Sequence, residues 1–142
     1  MRSSSSDLFV PERYFTPDEV EALIPKLAEL VERLQAAQAD VQAVRERLEA
    51  EKQRLTLAGG GVLDRAQWRS DSARLDAATK AAQAALDEIH AMGGVPKDIG
   101  LGLVDFPHVR NGRVVNLCWK PGETRIRWWH GLDEGYTARK PL

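Results

Sequence analysis

A cysteine, a glutamate and a histidine stand close together in the segment Leu117–His130, LCWKPGETRIRWWH. That stretch holds the chain's single cysteine, three of its four tryptophans and one of its three histidines. Thiolate, imidazole and carboxylate are all zinc donors. Cys118, Glu123 and His130 therefore form a candidate metal set, with Asp105 or His108 as a further donor. Against it, the spacing contains neither a CxxC pair nor an HxxxH pair. The same residues suggest covalent chemistry, with Cys118 as nucleophile. Arg125 or Arg127 would acidify its thiol, and His130 or Asp105 would act as base. No glycine-rich elbow or cofactor fingerprint frames that arrangement, and no cofactor is expected. The plain structural account makes Cys118 a small buried apolar group and His130 a hydrogen-bonded strand end.

Two wider groupings compete with this triad. Lys97, Asp98, Asp105, Cys118, Glu123, His130 and Arg139 can line a polar cleft, or form an ion-paired network that fixes the C-terminal region in place. Residues 107–142 carry seven cations against three acids, so the rest of the chain has a net charge of −5. A strand face bearing Arg125, Arg127 and Trp129 has the makings of a nucleic-acid surface, with cations for phosphates and an indole for stacking. A solvated face, or one docked on acidic helices, accounts for the same residues.

The elements that would position these side chains begin at residue 95, where turn residues replace helical periodicity. Asn111–Gly112 reads as a tight turn ahead of an alternating strand, and KPGE at 120–123 as a second turn. Pairing around Pro121–Gly122 sets Trp119 opposite Thr124, Leu117 opposite Ile126 and Val115 opposite Trp128. Those residues make an apolar face toward the rest of the protein. Val114, Asn116, Cys118, Arg125, Arg127 and Trp129 occupy the other face. In this register Cys118 and His130 lie on opposite faces, and a one-residue slip reverses the assignment.

Two helices precede that region. FTPDE at 15–19 supplies an N-cap in Thr16, a first-turn proline in Pro17 and a capping-box partner in Glu19. Leu23, Leu27, Leu30, Leu34, Ala37, Val41, Val44, Leu48 and Leu55 then recur in a heptad pattern, widened by Ile24 and Val31. Pro25 predicts a kink near Leu23–Ile24. Three glycines at 59–61 break the helix. Asp64 and Gln67 open a second one, with Trp68, Leu75, Ala82, Leu86 and Ile89 on its seam and an alanine-rich surface. In its last turn His90 suits the helix dipole and can pair with Asp87. Gly93, Gly94 and Pro96 end that helix. A two-helix hairpin leaves seam surface uncovered, so pairing with a second copy through the helices is expected.

Composition narrows the class. The chain has 142 residues, 43% hydrophobic and 29% charged, with a net charge of −1. A chain this size suits about one domain, with no global pull toward nucleic acid or membrane. One cysteine forms no internal disulfide. No apolar run approaches the ~20 residues of a membrane span. MRSSSSDLF lacks a secretory core and reads as a short tail, consistent with a cytoplasmic location.

The strings YFTPDEVEALIPKL, KDIGLGLVDFP, GRVVNLCWKPGE and WWHGLDEGYTARKPL resemble an uncharacterised bacterial family, domain of unknown function 2203. The resemblance runs through nearly all the chain after residue 13. It implies the same architecture and points to the C-terminal region as the place of any function, but supplies no reaction. The expected fold is α+β and mainly α: a tail over 1–13, then a single domain over 14–142. Within it come a helix over 14–56, a second over 64–92 and a small antiparallel β element over 95–142. The expected role is a non-enzymatic dimeric interaction or scaffold protein. A metal- or ligand-dependent enzyme using Cys118, Glu123 and His130 is the alternative, and nucleic-acid binding a second.

Overall fold

The computed structural model describes residues 11–142; the tail expected over 1–13 lies mostly outside the described residues. Helix α1 spans Pro17–Leu57 and starts as its sequence dictates. Thr16 Oγ1 accepts from Glu19 N, and the Glu19 carboxylate accepts from Thr16 N at 2.8 Å, closing the capping box. The helix continues through Pro25. Helix α2 spans Arg65–Ala91, with Asp64 accepting from Gln67 N at its start. The two helices pack along each other as an antiparallel hairpin.

The seam follows the heptads with two adjustments. Ile24 and Val31, expected only to widen the apolar face of α1, are fully part of the core, whereas Leu23 is half-buried. On α2 the inward residues are Asp71, Ala78, Ala82, Ala85 and Ile89. Trp68, expected on the seam, is 36% exposed. Asp71 turns inward in its place and pairs with Arg47 of α1.

After α2 the chain forms a five-stranded antiparallel sheet in sequence order. Its strands are β1 (Val95–Asp98), β2 (Leu103–Arg110), β3 (Arg113–Trp119), β4 (Trp128–His130) and β5 (Lys140–Pro141). The longest ladder joins β2 to β3 through the Asn111–Gly112 turn, whose two residues both have positive φ (52° and 77°). That twist suits a two-residue hairpin loop, and Asn-Gly tolerates it best. Pro107, within β2, sits beyond the reach of β1, and its carbonyl accepts from Phe15 N at 2.7 Å.

One face of the sheet packs on the proximal half of the hairpin. Val104, Phe106, Leu117 and Trp119 join Phe15, Val20, Leu27, Leu30, Leu34 and Ile89 in a single core. Helix α1 and the residue ahead of its cap also hold the sheet region at three places by hydrogen bonds. Phe15 O accepts from His108 Nδ1 (2.6 Å), Glu21 accepts from Ile126 N (2.9 Å), and Gln35 donates to Ile99 O and Gly100 O (3.1 Å each). Among the described residues no helix is long and apolar enough to cross a membrane.

The junction between α2 and the sheet is tight. Gly93 has φ +101°, and a Cβ there would lie 2.3 Å from Phe15 Cζ. Left-handed backbone and overpacking both oppose any side chain. Gly93→Ala should therefore lower stability by about 2–4 kcal/mol, read as a shifted urea midpoint. An unchanged midpoint would contradict this packing.

Candidate functional site

The register of the C-terminal strands decides which polar groups meet. The expected pairing around Pro121–Gly122 is corrected by the structure: Asn116 pairs with His130 and Leu117 with Trp129. This is three residues away from Trp119 opposite Thr124, and an odd shift exchanges the two faces. The reason lies in the segment 120–127, which stays a loop. Pro121 and Gly122 do form a turn, with Glu123 N donating to Lys120 O. The Glu123 carboxylate then accepts from Lys120 N at 2.9 Å and from Arg139 Nη2 at 2.8 and 2.7 Å. Trp119 Nε1 donates to Glu123 O, and Glu21 holds Ile126 N. With those groups engaged, β4 begins only at Trp128.

Trp129 consequently packs against the helix-facing core, while Cys118 and His130 share the opposite face. Asp105 pairs directly with Cys118 across β2 and β3. Three adjacent strands thus bring Asp105, Cys118 and His130 together, their potential ligand atoms all within 4.8 Å of one another. The residues are 1%, 1% and 3% exposed. His130 Nε2 stands 3.0 Å from Asp105 Oδ2. That is ion-pair distance, although the approach is not that of a well-aligned hydrogen bond. The other ring nitrogen, Nδ1, lies 2.8 Å from Gly131 O. A carbonyl only accepts, so Nδ1 carries a proton.

The electrostatics follow from burial. Desolvation raises the Asp105 pKa, opposed by the charge and hydrogen bonding of His130, then by Lys97 and by hydrogen bonding to the Cys118 thiol. Burial pushes the Cys118 thiol up to about 12; Asp105 reinforces the rise and Arg139 opposes it. A thiol held protonated in this way is a poor nucleophile.

The other expected site residues fall elsewhere. Glu123 is tied to Arg139 rather than to the buried cluster. Arg139 also donates to Cys118 O at 3.2 Å and lies over the rings of Trp128 and Tyr136. It fastens the C-terminal segment onto the far face of the sheet. Lys97 and Asp98 are exposed in β1, and Asp98 caps the following turn by accepting from Leu101 N. His108 is engaged with Phe15 O. Arg125 and Arg127 are exposed in the loop, while the half-buried Trp129 ring has Arg110 and Lys140 over it at 5.0 and 4.8 Å. The Asp105–Cys118 contact was within reach of the sequence. A two-residue Asn111–Gly112 turn opposes Arg110 to Arg113, and counting back from that pair reaches Asp105 and Cys118.

Two outcomes follow. Glu123→Gln should destabilise the fold by about 2 kcal/mol, below the ~3–5 kcal/mol of a fully buried pair because Glu123 keeps some solvent. Chemical denaturation reads this, and no change would make the Glu123–Arg139 pair ornamental. Alkylation of Cys118 in native protein should be far slower than in denatured protein. Rapid native labelling would contradict its burial.

No curated protein and no solved structure matches the chain. The profile of the family described as "Uncharacterized conserved protein (DUF2203)" matches residues 13–142, nearly the whole sequence. The chain belongs to this family of unknown function.

Proposed function

We propose that this chain is a non-enzymatic interaction protein that pairs with a second copy of itself through the helical hairpin. The observation that carries the reading is a shallow groove running between α1 and α2. Ala36, Ala77, Ala81 and Ala84 are exposed along it, above the buried Ala37, Ala78 and Ala85. Small side chains let a further helix approach closely. Arg33, Asp40, Arg74 and Glu88 border the groove, so its rim carries both signs of charge. A two-fold pairing places the same patch on both partners, and a rim of mixed sign can complement itself under that symmetry. Each helix otherwise has one seam to bury, and that seam is already used within the chain.

The other readings have less support. Cys118 is buried and protonated, which disfavours its use as a nucleophile. Trp129 has cations over its ring and its body against the core, so it offers little face for base stacking.

Analytical ultracentrifugation across a concentration series tests the proposal. The wild-type chain should sediment as a dimer at high concentration. Ala77→Glu combined with Ala84→Glu should yield a folded monomer, since both positions are exposed and glutamate is a good helix former. A wild type that stays monomeric throughout, or a dimer indifferent to the double substitution, would contradict it.

A further inference from the structure

We propose that Asp105, Cys118 and His130 are protein ligands of a divalent transition-metal ion, with zinc the best fit to their donor set. The site stands on the far side of the sheet from the helical core and does not depend on self-association.

Geometry is the first support. Asp105 on β2 and Cys118 on β3 are cross-strand partners, and His130 on β4 pairs with Asn116, two residues along from Cys118 on the same face. Three strands therefore aim three donors of different chemistry at one point, with the donor atoms within 4.8 Å of one another. In a tetrahedral zinc site, bonds of ~2.0–2.3 Å put neighbouring donors roughly 3.3–3.8 Å apart. Drawing the donors onto an ion needs adjustments of up to roughly 1–1.5 Å, within the reach of side-chain rotation.

The second support is independent. Asp105 is buried, and its polar neighbours His130 and Cys118 approach its oxygens without a well-aligned hydrogen bond. Leaving a buried carboxylate without such a bond is costly, and a cation removes that cost. An alternative partner is already adjacent, since His130 Nε2 lies 3.0 Å away. An Asp105–His130 ion pair is therefore the arrangement that the metal site competes with.

The third support is the orientation of His130. Its Nδ1–H donates to Gly131 O, which leaves Nε2 as the ring nitrogen on the side of Asp105 and Cys118. Histidine ligands to metals are typically fixed this way, through a carbonyl or carboxylate on the other nitrogen. Thiolate and imidazole select zinc or a similar ion over calcium and magnesium, which prefer all-oxygen sites. One divalent ion with one carboxylate and one thiolate is neutral overall. Binding replaces the Cys118 S–H bond with a metal–sulfur bond and releases that proton to solvent. Three protein ligands leave a fourth tetrahedral position for water or another small donor.

Cobalt(II) titration of the metal-free, full-length chain tests the site. Because Cys118 is the chain's single cysteine, a thiolate-to-cobalt charge-transfer band can arise only there. The expected result is that band, together with the visible bands of tetrahedral cobalt, saturating at one ion per chain and vanishing when zinc is added. Asp105→Asn and His130→Gln should weaken cobalt binding at least tenfold, and zinc should raise the wild-type melting temperature. A folded wild type without the charge-transfer band would overturn the proposal, whatever the variants do. So would cobalt affinity unchanged by Asp105→Asn and His130→Gln in protein whose circular dichroism shows a native fold.

Discussion

The buried carboxylate of Asp105 is the constraint on which the C-terminal half of the molecule turns. Burying a carboxylate until it is 1% exposed opposes folding. The sheet nevertheless holds it there from both sides. Asp105 is paired with Val95 of β1 and Cys118 of β3, and its neighbours Val104 and Phe106 are sunk in the core against the helices. Rotating Asp105 to solvent would require a register change that turns those apolar residues outward. The packing on one face thus enforces the polar cluster on the other.

The helical hairpin supplies the rigidity behind that arrangement. Phe15, just ahead of α1, and Glu21 and Gln35 within it hold the sheet region at Pro107, Ile126 and the β1–β2 loop. The Glu123–Arg139 pair then closes the opposite face by tying the 120–127 loop to the C-terminal segment. Each contact is modest alone, but they act on one sheet and so support one another. The distal half of the hairpin takes no part in this. There the ion pair between Arg47 and Asp71 replaces apolar packing, and Leu57 and Val62 are exposed.

The sequence disclosed the parts governed by local chemistry. Thr16, Pro17 and Glu19 announced the start of α1, and Asp64 that of α2, because caps depend on residues three apart. The heptads located most of the seam, and Asn111–Gly112 located the main hairpin. What failed was the pairing of β3 with β4. The alternation of Ile126 and Trp128 imitates a strand that begins right after Pro121–Gly122. In the folded chain Ile126 is instead captured by Glu21 of α1, 105 residues away in sequence. No local pattern encodes that contact. The error carried over to the site: it placed Cys118 and His130 on opposite faces and coupled them with Glu123, whose partner is Arg139.

The central claim is that this fold enforces a Cys118–His130–Asp105 cluster because a metal ion belongs in it. Anomalous diffraction at the zinc edge, from crystals of the full chain grown with zinc, examines that claim most directly. The account predicts a zinc peak within bonding distance, ~2.0–2.3 Å, of Cys118 Sγ, His130 Nε2 and an Asp105 oxygen. A map with no zinc among those three residues, and with His130 hydrogen-bonded to Asp105 as a plain ion pair, would contradict it.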